Sequence, residues 1–263
     1  MKEVLNYRIA YMKAISLSWK DKDFKKSFLG SENVLDFLSS NENKEIFNDY
    51  KNPWDLLRIS VSDNYSMQWK PEETSGWVGE NDYIEIYLPE NPSDDSLAAE
   101  ALVQYYYLFP SFLGPFKEKE NTLNNGNIPA GSVSAKMGLG DDILDFGSLM
   151  LRVISLAWQN PEFLDELITA SGDGSLLSKD CKSDASQVLG KYFAYTNPWN
   201  FNLRFRVCPQ FEYKNDGSTF KWTGIPKNHI HLWFPNSPEK VSSEPTALTS
   251  YHNNGAAYPF TCT

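Results

Sequence analysis

Ile15-Ser16-Leu17-Ser18-Trp19 returns later in the chain as Ile154-Ser155-Leu156-Ala157-Trp158. The acid-Phe pair after each Trp returns with it, as Asp23-Phe24 and Glu162-Phe163. Tyr50-Lys51-Asn52-Pro53-Trp54 returns as Tyr195-Thr196-Asn197-Pro198-Trp199. Ile84-Glu85-Ile86-Tyr87-Leu88-Pro89 returns as Ile230-His231-Leu232-Trp233-Phe234-Pro235, each with a further Pro (Pro92, Pro238). The blocks keep one order, and their offset drifts only from 139 residues (Trp19 to Trp158) to 146 (Ile84 to Ile230). That is an internal duplication, and it sets the unit from which the fold must be built.

Each unit begins with helical spacing. Phe146, Met150, Val153, Ile154, Ala157 and Trp158 fall on one face of a 3.6-residue period, with Asp141 and Asp142 suited to cap its start. In the first copy the same stripe is expected from Leu5, Ile9, Met12, Ile15 and Trp19. A second helix follows: Asn160 caps it with Pro161 at its first position, and Asp21 takes the cap in the first copy. The Trp at each first-helix end then reads as a core anchor. The pattern next changes to period two at Leu57–Val61 and Leu203–Val207, and again at Ile84–Leu88 and Ile230–Phe234, as half-buried strands require. Pro89 and Pro235 end the later strands because Pro donates nothing to a ladder. The fold class expected is α+β, two tandem helix-helix-strand-strand repeats. Residues 1–92 and 148–238 form the repeats, 93–147 the connection and 239–263 an extended tail. Within the connection Leu97 to Phe109 is expected as a helix and Leu123–Gly140 as a flexible loop.

The 263-residue chain carries 41% hydrophobic and 14% aromatic residues, which excludes a disordered polymer. Its net charge of −10 opposes phosphate backbones and anionic lipid, so nucleic acid and membrane surfaces are not expected partners. Three Cys (Cys181, Cys208, Cys262) make no disulfide framework. No apolar run reaches a membrane span, and Met1 to Lys20 reads as an amphipathic helix rather than a signal peptide, so a cytoplasmic location is expected.

Catalytic patterns are sparse. Gly131-Ser132-Val133-Ser134-Ala135-Lys136 lacks the second Gly and preceding strand of a phosphate loop. His229 and His231 share a strand face at metal-pair spacing, but no third ligand lies near in sequence, and solvent-facing positions are expected for them. Cys208 reads as a small buried residue at a strand end. Arg58, Arg204 and Arg206 alternate on strands and are expected to pair with local carboxylates. No catalytic residue, metal or cofactor is assigned.

Ala157-Trp158-Gln159-Asn160-Pro161-Glu162-Phe163, then Leu167-Ile168, an alternating strand and His229–Pro235 resemble the nitrile-hydratase-alpha-like leader domain, and Trp19 to Leu29 with Tyr83 to Pro89 repeat the pattern. That domain heads precursors of ribosomally made modified peptides, including thiazole/oxazole-modified microcins (TOMM). The resemblance implies a non-catalytic recognition platform, served by a cyclodehydratase-type enzyme and an exporter, and strand addition at an exposed sheet edge is the mode of recognition expected. It also implies a modifiable segment beyond the domain, here Thr261, Cys262 and Thr263 within a tail that holds further Ser and Thr. The hydratase's metal-binding Cys cluster has no counterpart: those positions read Ile86-Tyr87-Leu88-Pro89 and Leu232-Trp233-Phe234-Pro235. Two rival readings stand beside this one. One is a duplicated binding module using Trp54 and Trp199 as an aromatic surface, and the other a metal enzyme using His229 and His231.

Overall fold

The structure is a computed structural model that describes residues 2–73, 76–113, 141–172, 182–199, 201–215 and 219–253. The first half runs α1 (Lys2–Lys20), α2 (Lys22–Leu29), α3 (Val34–Ser39), β1 (Leu57–Trp69), β2 (Trp77–Val78), β3 (Asp82–Pro89), a 3-10 turn (Asp95–Leu97) and α4 (Ala98–Leu113). The second runs α5 (Asp141–Gln159), α6 (Pro161–Ala170), α7 (Ser186–Phe193), β4 (Phe201–Cys208), β5 (Glu212–Asn215), β6 (Phe220–Thr223), β7 (Asn228–Pro235), a 3-10 turn (Val241–Ser243) and α8 (Glu244–Asn253).

The expected α+β unit is therefore present and longer at two places. A short third helix precedes the first strand of each half. Residues 95–113 and 241–253 form matching turn-helix pairs, so the stretch expected as an extended arm is helical as far as Asn253. The helix starts behave as their residues dictate. Asp21 accepts the N–H groups of Asp23 and Phe24, and Asn160 accepts that of Phe163 with Pro161 behind it.

The two halves share one sheet, in the order β2-β1-β7-β3-β4, with a separate β5-β6 hairpin. β1 runs parallel to β7 and β3 parallel to β4, while β3 and β7 pair antiparallel at the centre. Apart from the short β1-β2 pairing, every ladder of this sheet joins one half to the other. At the centre Ile84 faces Ile230, flanked by Tyr83 opposite His231 and Glu85 opposite His229. Since Ile230 is the repeat counterpart of Ile84, a pseudo-two-fold axis passes between them.

One face of the sheet packs under the helices. Leu57, Ile59, Ile84, Ile86, Leu203, Phe205, Ile230 and Leu232 belong with helical residues of both halves to a single core cluster. α5 buries Phe146, Met150, Val153, Ile154 and Ala157 as expected. In α1 Ile15 is buried and Met12 and Trp19 pack against the core as expected, but the start of the stripe is displaced: Leu5 and Ile9 are exposed, and Val4, Tyr7, Tyr11 and Ala14 are buried instead. The tyrosines decide this. Tyr7 meets Trp54 edge-on at 5.4 Å, and the Tyr11 ring lies 6.4 Å from that of Tyr251 in α8.

Candidate functional site

Strand alternation puts the other residues on the opposite face: Arg58 and Ser60, Tyr83, Glu85 and Tyr87, Asn202, Arg204 and Arg206, then His229, His231 and Trp233. Pairing across strands brings together groups that lie far apart in sequence. Arg58 stands opposite His229, Ser60 opposite His231, and Glu85 between His229 and Arg204.

A chain of hydrogen bonds crosses this face. Arg58 Nη2 donates to His229 Nδ1 at 3.1 Å. A guanidinium has only donors, so Nδ1 is the acceptor and the neutral ring carries its proton on Nε2. That Nε2–H donates to Ser60 Oγ at 2.7 Å. The Ser60 hydroxyl then donates to His231 Nδ1, also at 2.7 Å, which leaves the His231 proton on Nε2. The His231 Nε2 is buried with no hydrogen-bond partner.

Electrostatics fix both rings as neutral. Burial, with Arg58 beside it, pushes His229 down to about 2. Burial, with Arg204 and Arg58 nearby, pushes His231 down to about 3. Ser60 next to two imidazoles has the outline of a nucleophile with its base, but a base must hold the proton it takes. Here arginines stand where a catalytic dyad is supported by a carboxylate, so the imidazolium is opposed.

The arginines are held in place. Arg206 pairs with Glu85 at 3.1 Å and donates to the carbonyls of Ser171 and Gly172, while Tyr87 donates to Glu85 at 3.0 Å. Arg204 is buried, with its guanidinium 3.7 Å from the Tyr83 ring centroid. The expected carboxylate pairing thus holds for Arg206, whereas Arg58 binds an imidazole.

Several expectations are corrected by burial. His229 and His231 face a packed interior rather than solvent, at 7% and 2% exposure. Both nitrogens of His229 are engaged, which leaves it no lone pair for a metal. Among the described residues no group of three or more His, Cys, Asp or Glu is placed to hold one. Trp54 is buried and Trp199 partly so, each packed into the core, so they form no paired aromatic surface. Cys208 is half-buried and free.

The strand edges expected to take a partner strand are also occupied at key points. Asn33 Oδ1 accepts the N–H of Ile59, and Asp184 Oδ1 that of Leu203. Ser171 Oγ accepts the N–H of Phe205, and the Leu203 carbonyl takes the N–H of Ala185. These contacts blunt β1 and β4. Cys181, the Gly131–Lys136 stretch, the Leu123–Gly140 loop and Thr261, Cys262 and Thr263 lie outside the described residues, as do the side chains of Asp141 and Asp142.

A family model described as ribosomal natural product, two-chain TOMM family, matches residues 2–112 and 141–259. The chain belongs to this family. The two matched regions coincide with the two halves of the shared sheet, so the TOMM domain is present in tandem. No curated protein and no solved structure matches the chain. Among the described residues of this TOMM family member, no helix is long and apolar enough to cross a membrane.

Proposed function

We propose that the chain is a non-catalytic precursor and recognition protein for a ribosomally made peptide of the TOMM type. The observation that carries this reading is the family match over both halves. In it, the folded body between Lys2 and Asn253 is a leader related to the nitrile-hydratase-alpha-like domain, and repeats at 1–92 and 148–238 carry its motifs. The residues altered are Thr261, Cys262 and Thr263. A cyclodehydratase-type enzyme acts on them in the cytoplasm, and an exporter handles any processed product. The neutral Ser60–His231 contact supports the absence of catalysis, because its base is held in a form that resists protonation.

Intact mass of the protein from its native host, with fragmentation of residues 254–263, tests the proposal. Water losses confined to Thr261, Cys262 or Thr263 are expected. An unaltered mass, in cells shown to express the modifying enzyme, would remove the precursor role and leave a duplicated binding module.

A further inference from the structure

We propose that each half of the chain is the docking partner of the other. The polypeptide is a fused pair of reciprocally swapped units, and its halves stay bound when the connection between them is cut and exchange with those of a second copy of the chain. This rests on the fold and is independent of the modified-peptide reading.

Six of the bonds that join the halves form three matched pairs. Trp19 Nε1 donates to the Pro235 carbonyl at 2.7 Å, and Trp158 Nε1 to the Pro89 carbonyl at 3.0 Å. Trp77 Nε1 donates to the Ala247 carbonyl at 2.9 Å, and Trp222 Nε1 to that of Ala101 at 3.0 Å. Asp82 Oδ1 accepts the N–H of Trp233, and Asn228 Oδ1 that of Tyr87. In each of these three pairs, what one half gives it receives back at the equivalent position, which is the signature of an isologous two-fold interface.

The swap extends to whole elements. β3 lies between β7 and β4, both from the other half. α4 packs on α5 and β6 of the second half, and α8 packs on α1 and β2 of the first. A half alone would therefore leave β3 with two open edges and would lose the bonds from Trp19 Nε1 to the Pro235 carbonyl and from Trp77 Nε1 to the Ala247 carbonyl, costs that a chain avoids by pairing. The smallest complete fold contains two units, and the surface that completes one unit fits a second copy of it. The matched family regions stop at residue 112 and resume at 141, so the connection is the place to cut.

The test places a protease site between Asn125 and Gly126 of the full chain. After cleavage, both fragments are expected to elute as one particle of the uncut mass. Cleaved protein mixed with an isotope-labelled cleaved sample, partly unfolded in urea and diluted, is expected to give hybrid pairs by native mass spectrometry. Fragments that elute separately as folded monomers would overturn the proposal. Should the cut protein aggregate, hydrogen exchange of the uncut chain in rising urea decides. β3 and β7 are expected to lose protection at one urea concentration, and two separate midpoints, one per half, would overturn it.

Discussion

The Asp82 carboxylate accepts the backbone N–H of Trp233 at 2.6 Å, tying the start of one central strand to the end of the other. Its counterpart Asn228 does the same for Tyr87 at 3.0 Å with a neutral amide. The two bonds are alike in geometry and unlike in charge, and the asymmetry has a consequence for stability. Burial holds the Asp82 carboxyl well above the usual carboxylate range, against the Trp233 N–H, which favours the ionised form.

Asp82→Asn is therefore expected to stabilise the protein at pH 8 and to change little at pH 4. A group whose folded pKa is raised contributes stability below its unfolded value of about 4, and that contribution is lost as pH rises through the folded value. The gain at pH 8 should be about 1–2 kcal/mol, the scale of relieving a poorly compensated buried group while keeping its hydrogen bond. Urea unfolding at the two pH values checks this. A loss of stability at pH 8 would mean that the ionised carboxylate is favoured where it stands.

Trp19→Phe and Trp158→Phe each remove one donor from the reciprocal pair that reaches Pro235 and Pro89. Each is expected to cost about 1 kcal/mol, the usual net worth of one hydrogen bond. Both should lower the same single unfolding midpoint, whichever half carries the change. A variant that splits off a separate transition for its own half would contradict the shared core.

How far these relationships can be read from sequence differs by kind. The duplication, the caps at Asp21 and Asn160 and the strand ends at Pro89 and Pro235 are local signals, and the structure keeps each of them. α3 spans only six residues, too few for a helical period to show. In α1 the aliphatic stripe through Leu5 and Ile9 misleads because Tyr7 and Tyr11 have neighbours large enough to bury them. The relay through Arg58, His229, Ser60 and His231 joins positions about 170 residues apart, and it depends on β1 pairing with the opposite half. Alternation places each residue on a face, but which strands become neighbours is a property of the swap, and no local pattern encodes it.

The relay fixes a measurable protonation pattern. Both His229 and His231 are expected as the neutral Nε2–H tautomer from pH 8 down to about 5, read by long-range proton–nitrogen NMR. Their folded values near 2 and 3 lie below the unfolded value of about 6.5. Their contribution to stability is therefore complete above about 6.5 and is lost as pH falls toward the folded values. His231→Phe keeps an aromatic ring against Tyr83 and removes one titrating group. It should reduce the slope of stability on pH by up to about 1.4 kcal/mol per pH unit relative to the parent. An Nδ1–H tautomer at either ring would reverse the assigned direction of the chain.

The precursor reading makes a demand on the folded body as well as on the tail. If the modifying enzyme reads the shared fold, Thr261 and Cys262 depend for their alteration on residues that never touch the chemistry. Trp158→Ala leaves the tail sequence intact but removes an anchor between the halves, so it should sharply lower the yield of water loss at Thr261 and Cys262 in the native host. A synthetic peptide of residues 254–263, offered to the same enzyme, should be altered far more slowly than the full chain. Mass spectrometry of both substrates over a time course gives the comparison. Equal rates would place recognition within the tail itself and deprive the duplicated body of its proposed role.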